Sequence, residues 1–194
     1  MCIRDRIQLI DGGHEVNEVW FTDVRVPVEN LVGEENHGWS YAKFLLSNER
    51  GGIARVSYNK IRLARAKELA ASISTANGTL LDDPHMRARF VELENALLAL
   101  ELTQLRVIAS ETGGKPNPAS SVLKLRGSEI TQDVTELMTD LAGNDALTVF
   151  DPAVDDSEWA HLAMPTYLNT RKVSIYGGSS EVQRQIISSG ILGL

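Results

Sequence analysis

The chain has 194 residues, of which 43% are hydrophobic and 23% are charged, a balance typical of a globular chain with a sizeable core. This length predicts one domain, or one domain with part of another. The net charge of −7 argues against a nucleic-acid binder, because such proteins present a basic surface to phosphates. No stretch approaches the roughly 18 to 20 uncharged apolar residues that span a bilayer, so we expect no membrane span.

The metal-ligating and redox residues are few. Cys2 is the single cysteine, which excludes an internal disulfide and a cysteine-based zinc site and fits a reducing, cytoplasmic location. The four histidines are far apart and include no i, i+4 pair, so we expect no metal centre.

The first 35 residues divide into two parts. Residues 1–11 are interpreted as a non-native or disordered leader, because no apolar segment follows their arginines as in a signal peptide. Residues 12–35 are expected to be the end of a β-domain, with a strand over 18–26 that ends at Pro27. One strand cannot bury its own face, so we expect the rest of its sheet to be missing from this chain.

From residue 36 to residue 194 the apolar period changes from two to about 3.6, which predicts a helical domain. We expect a first helix over 39–76. Gly51-Gly52 in its middle is equally compatible with a kink and with a close approach to a ligand. Two further helices carry apolar stripes, which we expect to be buried. The stripes are Met86, Phe90, Leu93, Leu97, Leu100 and Ile108, and then Val122, Leu125, Ile130, Val134, Leu137 and Leu141.

The C-terminal part contains a fourth helix and a short last helix. Ser157 is a candidate cap for the fourth helix, which Pro165 is expected to kink or break. Ser179 or Ser180 follows Gly177-Gly178 and can cap the last helix, and Ser180 with Gln183 has the spacing of a capping box. The pattern predicts an all-α, antiparallel four-helix-type bundle preceded by a remnant β-strand. The two long stripes also predict self-association.

Four stretches, in this order, resemble the acyl-CoA dehydrogenase family. Residues 18–33 resemble the strand that leaves the family's middle β-domain, and Asn48-Glu49-Arg50 stands where members carry Glu-Arg or Thr-Arg on the first helix of the C-terminal domain. Residues 141–144 stand at the family's flavin-contacting turn, and residues 175–184 resemble the loop before its last helix.

The resemblance implies a FAD enzyme that desaturates an acyl-CoA thioester between Cα and Cβ. A carboxylate removes the α-proton while the β-hydride passes to the flavin, and an electron-transfer flavoprotein is the implied electron acceptor. It also implies a homodimer, a homotetramer or a heterotetramer. The alternative is a non-catalytic partner subunit of a heteromeric dehydrogenase, kept for its bundle interface.

The resemblance assigns roles residue by residue. Many members carry the base in the loop, where this chain has Gly177, and a second group carries it at the position of Glu49, which is therefore the expected base. The expected substrate-binding residues are Ser47, Arg50 and Gly178. The expected cofactor-binding residues are Ala142, Gly143, Ser179 and Glu181. The family's Arg-x-x-Phe-Gly flavin motif is not visible around residues 71–81, which favours the partner-subunit alternative.

Overall fold

The computed structural model describes residues 2–49, 52, 54–110, 117–148 and 158–194, and for residues 2–3, 46–49 and 158 it describes the backbone alone. Within these ranges the chain forms six α-helices after an N-terminal hairpin. The helices are α1 (Gly38–Glu49), α2 (Val56–Ser72), α3 (Pro84–Ser110), α4 (Ser120–Ala142), α5 (Glu158–Thr170) and α6 (Ser180–Ile187). This architecture confirms the helical bundle expected from the apolar period.

The N-terminal hairpin pairs β1 (Cys2–Ile7) antiparallel with β2 (Val16–Phe21), with Ile7 opposite Val16. β1 lies within residues 1–11, which were interpreted as a non-native or disordered leader. In the structure, residues 2–7 form a strand that pairs with β2. β2 ends at Phe21, five residues before the predicted end of the strand. All six residues of β2 are exposed, so this hairpin has no sheet packed against it within the described residues. The non-native origin of the leader and the domain boundaries stay predictions.

The first predicted helix is divided in two, so the expectation of one helix over 39–76 is wrong. α1 ends at Glu49, and α2 begins after Arg55, whose φ of 51° is left-handed. A residue in this conformation cannot continue a right-handed helix. Among the apolar residues of this stretch, Val56 is buried, whereas Leu45 and Ile61 are exposed. Gly51 and Ile53 lie outside the described residues.

The stripes predicted on α3 and α4 form the core. On α3, Phe90, Leu93, Leu97 and Leu100 are buried, but Val107 is buried in place of Ile108. On α4, Ile130, Val134, Leu137 and Leu141 are buried. α4 packs against α2, α3, α5 and α6, so it is the central helix.

Small and hydroxyl-bearing residues on α4 allow its neighbours to approach closely. A Cβ atom added at Gly127 would lie 2.6 Å from the carbonyl oxygen of Ala54, so the α1–α2 junction packs directly on the α4 backbone. The Thr131 hydroxyl donates to the Gly127 carbonyl at 2.7 Å and accepts from the Asn59 side-chain amide at 3.0 Å. These hydrogen bonds satisfy the buried Thr131 hydroxyl.

α5 runs through Pro165 rather than ending there, and its predicted cap Ser157 lies outside the described residues. A short 3-10 turn over Arg171–Ser174 follows α5 and leads to the loop before α6. In the part of the chain with described coordinates, no helix is both long and apolar enough to cross a membrane.

Candidate functional site

The loop before α6 is built on two glycines. Gly177 has a φ of 66° and Gly178 a φ of 88°, a region that L side chains rarely adopt. The Gln183 side-chain amide donates to the carbonyl oxygens of Gly177 at 3.4 Å and of Gly178 at 3.3 Å. A Cβ atom at Gly178 would lie 2.4 Å from Gln183 Nε2. The backbone conformation therefore favours glycine at 178, and a Cβ atom there would displace the end of the Gln183 side chain.

This role of Gln183 was not predicted from the sequence. The cap of α6 is Ser179, whose hydroxyl oxygen accepts the Val182 N–H at 3.4 Å, while the Ser180 hydroxyl donates to the Ser174 carbonyl at 3.3 Å. The proposed capping box of Ser180 with Gln183 is wrong, because the Gln183 amide is bound to the loop instead. The sequence feature from which this role could have been predicted is a glutamine five residues after a pair of glycines.

Glu181 is an exposed carboxylate in the first turn of α6. Its own backbone N–H and the Ser179 hydroxyl donate hydrogen bonds that hold the pKa of Glu181 below its usual value. The group is therefore negatively charged at neutral pH. Its charge repels a phosphate, whereas its oxygens can accept hydrogen bonds from hydroxyl or amino groups.

Arg55 connects the α1–α2 junction to the loop. Its Nη2 donates to the Tyr176 hydroxyl oxygen at 2.6 Å, and its guanidinium carbon lies 5.5 Å from the centre of the Tyr58 ring and 5.9 Å from that of Tyr176. Tyr176 directly precedes Gly177, and Arg55 follows Glu49 by six residues. No sequence pattern pairs two residues 121 positions apart, so this contact was not predictable from spacing.

The predicted base Glu49 and the nearby Ser47 lie at the end of α1. Ser47 and Glu49 belong to the last turn of α1, and their side chains lie outside the described part. Arg50 lies outside the described residues altogether.

The predicted cofactor-binding residues form two separate groups. Ser179 and Glu181 lie at the start of α6, which packs beside Glu129 of α4 through Arg184 at 3.8 Å. Ala142 lies at the end of α4, thirteen residues after Glu129, which corresponds to about 20 Å along the helix at 1.5 Å per residue. Gly143 next to it is exposed, has a φ of 57°, and has open space where a Cβ atom would be. The chain does not bring these two groups together.

Buried polar atoms lie between α4 and α6. Lys124 Nζ and Gln183 Oε1 are buried without a hydrogen-bond partner in the described structure. Burial lowers the pKa of Lys124, and the nearby Glu181 carboxylate opposes this effect. Among the residues with described positions, no three His, Cys, Asp or Glu side chains are arranged to hold a metal ion.

Residues 36–192 match the family model described as "Acyl-CoA dehydrogenase, C-terminal domain". The chain is 35% identical over 193 residues to acyl-CoA dehydrogenase IpdE1 of Mycobacterium tuberculosis, covering 99% of this chain and 47% of that protein. It is 32% identical to acyl-CoA dehydrogenase FadE26 of the same organism, covering 94% of this chain and 46% of that protein. The chain thus spans about half the length of these curated relatives.

Solved structures show the same architecture. The ChsE4-ChsE5 complex of Mycobacterium tuberculosis aligns with a TM-score of 0.81 at 26% identity, covering 100% of this chain and 50% of the matched chain. An acyl-CoA dehydrogenase from Geobacillus kaustophilus also aligns with a TM-score of 0.81, at 22% identity, covering 100% of this chain and 49% of that one. The second likeness shows the fold alone.

Proposed function

Because the chain belongs to the acyl-CoA dehydrogenase family, we propose that the full-length protein uses FAD to desaturate an acyl-CoA thioester between Cα and Cβ, with Glu49 as the base. The Arg55–Tyr176 hydrogen bond is the observation that carries this assignment. It ties the segment just after Glu49 to the loop in which many family members carry the base. Gly177 has no side chain for that role.

The described residues fit the uncharged parts of FAD better than its pyrophosphate. The ionised Glu181 at the start of α6 suits the ribose hydroxyls or the adenine amino group and repels a phosphate. The exposed turn at Gly143, where a Cβ atom would meet open space, gives a planar ring access to the backbone. Ser179 and Glu181 would hold one part of the cofactor, and Ala142 and Gly143 another. Bound FAD would supply the hydride acceptor.

The chain's own part in this reaction is proton abstraction and positioning. The α-proton of a thioester is weakly acidic, so its removal requires a carboxylate in a dry pocket, where loss of hydration raises the carboxylate's pKa and basicity. Glu49 accepts this proton in the proposal. Arg50 binds the CoA portion or orients the pocket, and Ser47 and Gly178 line the path of the substrate.

A second candidate is a partner subunit without catalysis of its own. Two observations favour it: the similarity to the ChsE4-ChsE5 complex, and the absence from residues 71–81 of the family's Arg-x-x-Phe-Gly motif. In this case another subunit would supply the base or the flavin contacts, and this chain would supply a helical interface.

The outer face of α3 supports assembly in either case. Val91, Leu98, Leu102 and Leu105, here named the outer stripe, follow heptad-like spacings of seven, four and three residues. Each is between 53% and 57% exposed, on the side of α3 opposite its buried stripe. A second apolar stripe on one helix is typical of an interface. We propose a homodimer, a homotetramer or a heterotetramer, with an electron-transfer flavoprotein as electron acceptor. The cytoplasmic location stays a prediction.

The two candidates are separated by flavin content and flavin reduction. The full-length protein is purified alone and with a candidate partner subunit, and each sample is mixed anaerobically with acyl-CoA while flavin absorbance is followed. Flavin that is bound and reduced in the protein alone supports the dehydrogenase. Flavin that appears only with the partner, and is reduced without need of Glu49, supports the partner subunit. We expect the 194-residue chain by itself to retain no FAD, because it spans about half of its relatives.

A further inference from the structure

A cavity of about 580 Å³ lies beside the loop but has no role in the assignments above. Its walls come from the start of α2, the end of α5 with the turn that follows, and the turn between β1 and β2. Tyr176 belongs to its lining, so the cavity borders the Gly177-Gly178 loop. Its charged side chains separate into an acidic part and a basic part.

The acidic part is satisfied within the chain. The Asn169 side-chain amide donates to Asp11 Oδ2 at 2.6 Å and to Glu15 Oε1 at 2.8 Å, and Lys172 forms an ion pair with Glu15. The hydrogen bond from the Lys172 ammonium group is the main cause of the lowered pKa of Glu15, and the Asn169 amide adds to this effect. Both carboxylates therefore already have donors, and Lys172 already has an acid.

The arginines of the basic part, in contrast, have no carboxylate partner among the described residues. Arg55 and Arg62 both line the cavity, and neither forms an ion pair with any residue that the structure describes. The Arg62 guanidinium carbon lies 4.4 Å from the centre of the Tyr58 ring, and that of Arg55 lies 5.5 Å from the same ring. Two guanidinium groups are thus within cation–π distance of the same tyrosine ring. The three cations of the lining outnumber its two carboxylates, which leaves one excess positive charge.

We propose that Arg55 and Arg62 form a binding site for the oxyanion of a small organic ligand, either a carboxylate or a phosphate. A guanidinium group presents a planar set of donors that matches both anions, and stacking on a tyrosine ring holds that plane in place. An anion bound by these arginines would neutralise the excess positive charge of the lining. The cavity volume lies in the range of small-molecule sites. In the proposed reaction, a carboxylate on the acyl chain and a phosphate of CoA are the two possible sources.

The test is calorimetric titration of the 194-residue chain, at low ionic strength, with inorganic phosphate and separately with glutarate. We expect saturable binding that weakens as salt is added, because partly exposed charges are screened. Arg62→Gln should raise the dissociation constant about tenfold, as expected for the loss of a charge-assisted hydrogen bond. Arg65→Gln is the matched control: Arg65 lies on the same helix, pairs with Glu68 at 3.2 Å and does not line this cavity. It should change the constant less than twofold.

Each outcome decides for or against the site. Tighter binding of glutarate supports a carboxylate ligand, and tighter binding of phosphate supports a phosphate ligand. The proposal is overturned if neither probe binds saturably, or if both arginine variants weaken binding equally while circular dichroism shows intact helices. The measurement is made without acyl-CoA or FAD, so failure of the proposed dehydrogenase reaction leaves its result unchanged.

Discussion

The loop end of the bundle, formed by residues 175–184 with Lys124, contrasts with the outer stripe of α3. At the loop end, Gln183, Ser179 and Arg55 bind the backbone and side chains of the loop within the chain itself. The four apolar side chains of the outer stripe are more than half exposed. The contrast shows that this chain sets the shape of its own loop, whereas the outer stripe has no covering within the described residues and is the surface proposed for assembly.

The largest expected effect concerns catalysis by Glu49, the proposed base. Glu49→Gln in the full-length protein should reduce the rate of flavin reduction by acyl-CoA about a thousandfold or more, because an amide cannot accept the α-proton. Anaerobic single-turnover absorbance measures this rate. Glu68→Gln is a matched control, since Glu68 lies on α2 in an exposed pair with Arg65. Near wild-type reduction in Glu49→Gln would remove Glu49 as the base.

Substituting one leucine in the core and one in the outer stripe compares the two faces directly. Leu137 is 0% exposed and Leu98 is 53% exposed. Leu137→Ala should lower the free energy of unfolding by about 2 to 5 kcal/mol, because it leaves a cavity. Leu98→Ala should cost well under about 1 kcal/mol in the monomeric chain. Urea titrations measure both values, and equal losses would contradict the distinction between the two faces.

The oligomeric state of variants in the outer stripe tests whether this stripe mediates assembly. The double substitution Leu98→Glu with Leu102→Glu should shift an oligomer to monomer at tens of micromolar, because it buries two charges at an apolar interface. Light scattering measures the molar mass. Ile61→Glu changes a separate exposed apolar residue on α2 and serves as the control. A wild-type chain that is already monomeric at this concentration would contradict the assembly proposal.

Gly178→Ala tests how rigidly the loop is held. Alanine at a φ of 88° is strained, and its Cβ atom would displace the Gln183 amide, so we expect a loss of about 1 to 3 kcal/mol in stability. Gly38→Ala is the control, because a Cβ atom there meets open space at the start of α1. Similar unfolding free energies for the two variants would show that the loop tolerates side chains.

The smallest expected effect is a pH dependence that arises from Lys124. Burial lowers its pKa in the folded chain below that in the unfolded chain, so the unfolded state binds more protons between these two values. Stability therefore rises with pH in this window, up to the ordinary lysine pKa of 10.5. Lys124→Met should exceed the wild type in stability more at pH 7 than near the top of this window. As a control, Lys60→Met replaces a lysine in an exposed ion pair with Glu101, and its stability difference from the wild type should not become smaller between pH 7 and the top of this window.

Much of the fold was predictable because long amphipathic helices repeat their apolar residues every three or four positions. The stripe from Phe90 to Leu100 and that from Ile130 to Leu141 are buried as predicted. Gly51-Gly52 was compatible with a kink in this region, but the break between α1 and α2 also depends on the left-handed backbone of Arg55 and on the contact of Ala54 with Gly127, which the sequence does not reveal. The apolar period continues through the break, so the period alone does not indicate where α1 ends and α2 begins.

Residue identity and local spacing were enough to identify the family, the helical stripes and the absence of a side chain at Gly177. The surroundings of the loop, in contrast, depend on how the helices pack together. The tertiary structure shows that Gln183 is bound to the loop carbonyls, that Arg55 reaches Tyr176, and that Gly143 lies far along α4 from Glu181. These relations join residues that are distant in the chain, and the packing of α2, α5 and α6 around α4 determines which of them meet.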